Sequence, residues 1–167
     1  MNKTAIIYSF NSQKSKKISE KIIDAYGGSK IDSINAELVN ISDIEKYNQF
    51  IFSIPTWFDG ELPNYWDEFL PDFEEMNLKG KKFALFGLGD QKNYPENFCD
   101  AIGIIADIIK EQGGEIVGRT SVESYNFESS KALWGDSFIG LPLDQENQAR
   151  LTNARIKKWV DQIKTEF

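Results

Sequence analysis

Five short apolar runs punctuate the chain: Thr4–Tyr8 (TAIIY), 36–41 (AELVNI), 50–54 (FIFSI), Lys82–Leu88 (KFALFGL) and 115–118 (EIVG). The first, third and fourth show almost no polar alternation, the pattern of parallel strands covered on both faces. Helical spacing fills the intervals. Ile18, Ile22 and Tyr26 form one stripe, stopped by Gly27-Gly28, and Phe98, Ile102, Ile105 and Ile109 form another, stopped by Gly113-Gly114. Ile156, Val160 and Ile163, with Trp159 beside them, mark a final helix. Pro63 and Pro71 bracket a shorter, aromatic-rich helix around Tyr65, Trp66 and Phe69. Such alternation predicts an α/β fold, a doubly wound parallel sheet with helices on both faces. No repeat, linker or low-complexity tract divides residues 1–167, so one domain is expected. Residues 119–137 are polar and irregular before 138–143 (FIGLPL) turns strand-like again, which predicts a long excursion interrupting or following the fifth strand.

Composition narrows the chemistry. Apolar residues are 41% and charged residues 27%, an ordinary globular balance. Nineteen basic against 26 acidic residues leave a net charge of −7, which argues against a nucleic-acid partner. Histidine is absent, so Ser-His-Asp and Cys-His nucleophiles, histidine-ligated haem and most catalytic zinc sites fall away. The single cysteine, Cys99, excludes iron–sulfur clusters, disulfides within the chain and CxxC redox chemistry, and no metal site is expected. Redox chemistry would have to come from a bound organic cofactor. No apolar run reaches membrane-spanning length and the opening MNKTAIIYSF has no leader-type segment, so a cytoplasmic location without membrane contact is expected. Acidity is concentrated: Asp59, Glu61, Asp67, Glu68, Asp72, Glu74 and Glu75 follow one another with no base among them. Such a run is a solvated helix face or, beside a binding site, a docking surface.

In a doubly wound sheet, ligands bind beyond the carboxyl ends of the strands. The loop after the first strand, Ser9-Phe10-Asn11-Ser12-Gln13-Lys14-Ser15, runs straight into a helix whose N-terminus favours an anion. It lacks the glycines of dinucleotide and nucleoside-triphosphate loops. Pro55-Thr56-Trp57-Phe58-Asp59-Gly60-Glu61 follows the third strand, and Gly89-Asp90-Gln91-Lys92-Asn93-Tyr94 follows the fourth. Aromatics on neighbouring loops above an anion site suit a planar ligand carrying a phosphate, its ring between Trp57 and Tyr94. That describes a site for flavin mononucleotide (FMN).

Over nearly its whole length the chain resembles a long-chain flavodoxin. The resemblance is carried by Pro55-Thr56-Trp57 with Gly60-Glu61, by Gly87-Leu88-Gly89-Asp90-Gln91 with Tyr94, and by Asn97-Phe98-Cys99-Asp100-Ala101. It continues through Tyr125-Asn126-Phe127-Glu128-Ser129-Ser130-Lys131-Ala132, Phe138-Ile139-Gly140-Leu141, Leu151-Thr152, Arg155-Ile156 and Trp159-Val160. It implies the strand order 2-1-3-4-5, and it makes the 119–137 excursion the insertion that separates long from short flavodoxins. Implied cofactor contacts are Phe10, Asn11, Ser12, Gln13, Lys14 and Ser15 in the first loop, and Pro55, Thr56, Trp57, Phe58, Asp59 and Gly60 in the second. Leu88, Gly89, Asp90, Tyr94, Asn97, Phe98 and Cys99 follow, with Glu146 toward the ribityl chain. The resemblance also implies that the peptide between Phe58 and Asp59 turns its carbonyl toward the flavin N5–H on one-electron reduction.

The family's phosphate loop, T/S-x-T-G-x-T, is altered here. Ser12 and Ser15 keep hydroxyls, but Phe10 replaces one hydroxyl residue and Gln13 replaces the glycine. Loss of one charge-assisted hydrogen bond would cost roughly 1.5–3 kcal/mol, on the order of ten- to a hundredfold in affinity. The function implied is a low-potential electron carrier, not an enzyme. It would hold FMN non-covalently and pass electrons as a monomer from a reductase to acceptor proteins that dock on the acidic face. One carboxylate about 6 Å from the ring, at an effective dielectric near 20, would oppose an added electron by roughly 3 kcal/mol. Asp59, Glu61 and Asp90 are the candidates. The competing reading is a flavodoxin-fold binding module that lacks FMN and meets its partner through the same face. A quinone or nitro reductase has no acid–base group here beyond carboxylates and Tyr94. A phosphoacceptor receiver domain needs acids where Tyr8-Ser9 and Ile54-Pro55 stand.

Overall fold

The computed structural model describes residues 3–167. Parallel strands β1 (Thr4–Tyr8), β2 (Ile31–Asn35), β3 (Gln49–Ser53), β4 (Lys82–Leu88) and β5 (Glu115–Val117) lie in the order β2-β1-β3-β4-β5. Helices α1 (Gln13–Tyr26), α2 (Ile41–Glu45), α3 (Asn64–Phe73), α4 (Asp100–Glu111) and α5 (Ala149–Glu166) complete the layers. Strand residues of alternate parity feed two separate cores. Ile6, Ile51, Ala84 and Phe86 pack with Ile18, Ile22, Ile156, Trp159 and Val160 of α1 and α5. Ala5, Ile7, Phe50, Phe52, Phe83 and Leu85 pack with Trp66 and Phe73 of α3 and Ile102 and Ile105 of α4. Two covered faces are why the central strands read as unbroken apolar runs.

The expected excursion interrupts the fifth strand. β4 pairs with β5 through Phe83↔Ile116 and Ala84↔Val117, then with β9 (Leu141–Leu143) through Phe86↔Leu141 and Leu88↔Leu143. Between these two halves the chain makes a small antiparallel sheet from β6 (Thr120–Ser121), β7 (Leu133–Trp134) and β8 (Ser137–Phe138). Of the strand-like run 138–143, only its end joins the parallel sheet.

Two sequence expectations are corrected. The second strand is Ile31–Asn35, not 36–41. As an edge strand it is only partly covered, so Asp32 and Ser33 break its apolar pattern. The more apolar AELVNI instead forms a turn and the start of α2, with Leu38 74% exposed. Within it Asn40 is the N-cap of α2, in a reciprocal capping box with Asp43. Pro71 does not close α3 but lies inside it, because the buried Phe69 and Phe73, four residues apart, hold the last turn together around it.

The excursion docks tightly on α4. A Cβ added at Gly103 would lie 2.1 Å from the Lys131 carbonyl oxygen. An exposed helical Gly→Ala change gains about 1 kcal/mol, but Gly103→Ala should reverse that sign and destabilise by about 1–3 kcal/mol through overpacking. A urea midpoint that rose in Gly103→Ala would show the excursion is not held against α4.

Candidate functional site

The loops after β1, β3 and β4 and the segment after β9 surround one cleft of about 290 Å³. The first loop is ordered from beneath: buried Ser9 accepts hydrogen bonds through Oγ from the N–H groups of Asn11 (3.3 Å) and Ser12 (3.2 Å). Ser12 then opens α1 as its N-cap but makes no side-chain cap bond, and the first turn holds no acid. The first N–H groups of α1 and the hydroxyls of Ser12 and Ser15, which both line the cleft, therefore remain for an anion. Lys14 lines it too, paired with Glu146 at 2.8 Å. The Glu146 hydrogen bond and charge raise the Lys14 ammonium above its ordinary value.

The second loop is a tight reversal. Trp57 and Glu61 exchange backbone hydrogen bonds of 2.8 and 2.7 Å. Between them Phe58 takes a left-handed conformation (φ 48°) and Gly60 another (φ 94°). A Cβ at Gly60 would sit 2.8 Å from Asp100 Oδ2, so both its conformation and its surroundings call for glycine. Trp57 packs edge-on against Tyr65, centroids 6.0 Å apart. Thr56 reaches the other way, its Oγ1 accepting from the Ala101 N–H at 3.1 Å. That supplies the cap α4 lacks, since its own N-cap is Cys99.

In the third loop, Asp90 accepts from the N–H groups of Lys92 (3.1 Å) and Asn93 (3.0 Å) and from the side chains of Asn93 and Asn147 (2.8 Å each). Burial pushes the Asp90 carboxyl up, but these four bonds outweigh it and hold the group below its usual range. Beneath the loop, Gly89 leaves room for Cys99, whose Sγ would be 2.5 Å from any Cβ there. Burial, reinforced by Asp144 and Asp100, pushes the Cys99 thiol well up, so it lines the cleft as a neutral group.

Of the residues named from sequence, the structure brings together Ser12, Lys14, Ser15, Pro55, Thr56, Trp57, Phe58, Leu88, Gly89, Asp90, Tyr94, Asn97, Cys99 and Glu146 around this cleft. Phe10, Asn11, Gln13, Asp59, Gly60 and Phe98 are not in its lining. Phe10 packs on Tyr8 at 4.9 Å, Asn11 bonds Glu37, and Gln13 is exposed at the start of α1. Gln145 lines the cleft and was missed, as was the buried Asp144 beside it; the only sequence signal was a polar segment directly after a strand.

The family model for flavodoxin matches residues 6–159. A flavodoxin of Buchnera aphidicola is 45% identical over 166 residues, covering 98% of this chain and 96% of its own. Flavodoxin 1 of Escherichia coli is 40% identical, covering 98% and 94%. The chain belongs to the flavodoxin family. Among solved structures, the Fusobacterium nucleatum flavodoxin bound to flavin mononucleotide superimposes with a TM-score of 0.93 at 34% identity, covering 100% of this chain and 99% of that one. No helix of this flavodoxin, among the described residues, is long and apolar enough to cross a membrane.

The depressed Asp90 carboxyl makes the third loop acid-sensitive. Its stabilisation is complete above the ordinary carboxylate value and is lost as pH falls through the lower folded value. Asp90→Ala should therefore lower apoprotein stability at pH 7, with the gap to the native protein closing below about pH 4. Chemical denaturation at both pH values checks this; a gap independent of pH would deny Asp90 that role.

Proposed function

We propose that the chain is a low-potential electron carrier that holds FMN non-covalently in this cleft. The supporting observation is that an uncapped helix N-terminus with two free hydroxyls and a pair of loop aromatics share one cavity. Bound FMN supplies one- and two-electron redox chemistry, and the protein supplies binding and electrostatics. In this reading Ser12, Ser15 and the first N–H groups of α1 take the phosphate, while Trp57 and Tyr94 flank the ring. Glu146, Gln145 and Asn97 lie where the ribityl chain would run. Leu88 and Cys99 close the floor against water. The Asp90 carboxylate, held below its usual range, places negative charge beside the cleft, which disfavours further electron density there.

Phe10 and Gln13 weigh little against the phosphate end, because neither side chain is in the cleft lining. The FMN-free module is disfavoured, since flavodoxin relatives match over nearly the whole chain and a similar solved flavodoxin is bound to flavin mononucleotide. The seven acids between Asp59 and Glu75 are all exposed, and we assign to them the docking of basic faces on a reductase donor and on acceptors, with the carrier acting as a cytoplasmic monomer.

A purified protein with a flavin absorption spectrum and one FMN per chain is expected; one that binds neither FMN nor riboflavin would sink the proposal. Trp57→Ala should weaken FMN by about 1–3 kcal/mol, the scale of aromatic stacking on a base. Unchanged affinity in both Trp57→Ala and Tyr94→Ala titrations would remove the ring from between them. Ser12→Ala should weaken FMN on the order of tenfold or more while sparing riboflavin, which has no phosphate. Electron transfer to a basic partner should slow as salt rises, and a flat rate would take docking away from the 59–75 segment.

A further inference from the structure

A second cavity, about 320 Å³, lies between α5 and the first part of the excursion, and it shares no lining residue with the cleft described above. We propose that it binds a small organic carboxylate with an apolar body.

Its charge runs against that of the molecule. The chain carries a net −7, yet Arg119, Arg155 and Lys158 line this cavity with Glu123 as the one acid. Spacing along α5 accounts for part of this: Leu151, Arg155, Lys158 and Gln162 follow at helical intervals and present one face to the excursion.

Arg155 is the centre of the argument. Its guanidinium lies 4.0 Å from the centre of the Tyr125 ring, and Nη1 donates to Gln148 Oε1 at 2.8 Å. Nη2 is buried and has no hydrogen-bond partner among the described residues. The guanidinium that lines the cavity is thus held in place by Tyr125 and Gln148. A guanidinium already fixed by stacking presents a planar fork, which matches a carboxylate. Arg119 is committed elsewhere, donating through Nε to Ser137 Oγ at 2.9 Å and through Nη2 to the Trp134 carbonyl. Lys158, exposed, adds a positive charge at the rim. Buried Leu141 and Trp159, the latter held by its indole N–H on the Gly118 carbonyl at 2.9 Å, give the cavity an apolar wall. That wall selects an organic anion over a fully hydrated inorganic one.

The probe is benzoate, titrated at constant ionic strength into ¹⁵N-labelled protein while the Trp159 indole and Arg155 side-chain resonances are followed. Saturable shifts centred on Tyr125, Arg155 and Trp159 are expected, with none from the neutral benzyl alcohol. Arg155→Gln should raise the benzoate Kd about tenfold or more, and Lys158→Gln by less, as suits a rim charge. Should Arg155→Gln fail to fold, Arg155→Lys, which keeps the charge and loses the fork, should weaken benzoate in the same direction. Non-saturating shifts, equal shifts with benzyl alcohol, or an unchanged Kd in the Arg155 variants would overturn the site. Inorganic phosphate displacing benzoate at equal concentration would overturn the assignment to organic carboxylates.

Discussion

A carboxyl group shut off from solvent and met, among the described residues, by N–H donors ties the loops of the cleft together. Asp144, at the end of β9, is 0% exposed, and all its contacts come from N–H donors. The Gln91 N–H (3.1 Å) and amide (2.8 Å) reach Oδ2, and the Asn147 N–H reaches Oδ1 at 3.0 Å. Burying such a group is costly unless its lone pairs are filled, so each donor is held where it stands. The consequence spreads outward. Asn147 also donates to Asp90, and Gln91 Oε1 accepts from the Asn126 N–H, so three chain segments distant in sequence share one polar network.

The same economy runs through the other loops. Polar groups that would be orphaned at element ends are satisfied from neighbouring loops, as when Thr56 caps α4 and Asp100 Oδ1 accepts the Lys131 N–H at 2.8 Å. The start of α1, where Ser12 makes no cap bond, is left open beside the cleft. A helix end left open amid so much local satisfaction is what gives the cleft its polarity: anion-seeking at one wall, aromatic at another.

Much of this was legible in the sequence, for reasons that differ from part to part. β1, β3 and β4 were plain because both their faces are covered. β2 was misplaced because an edge strand need not be apolar, while the neighbouring AELVNI carries Leu38 into solvent. The cleft residues were found because strand-end loops are a fixed address in this fold class and because the family resemblance named them. Gln13 and Phe10 drew attention as departures from a pattern, but only coordinates could show that their side chains lie outside the cleft lining. The network around Asp144 could not be read at all, since nothing in a linear chain shows that an acid will be buried among amide donors. Nor could the pairing of Lys14 with Glu146, which spans nearly the whole chain.

The divided fifth strand carries a consequence for how the two ends of β4 are held. The first half of β4 gains its outer neighbour through one local β–α–β step, across α4 to β5. The second half, from Phe86 to Leu88, receives β9 only by way of the whole excursion. It is this half that leads into Gly89 and Asp90. The two ends of one strand thus rest on pairings of different sequence range, Phe83 with Ile116 and Phe86 with Leu141. Whatever shifts the excursion therefore bears on the end of β4 that feeds the cleft before it bears on the other.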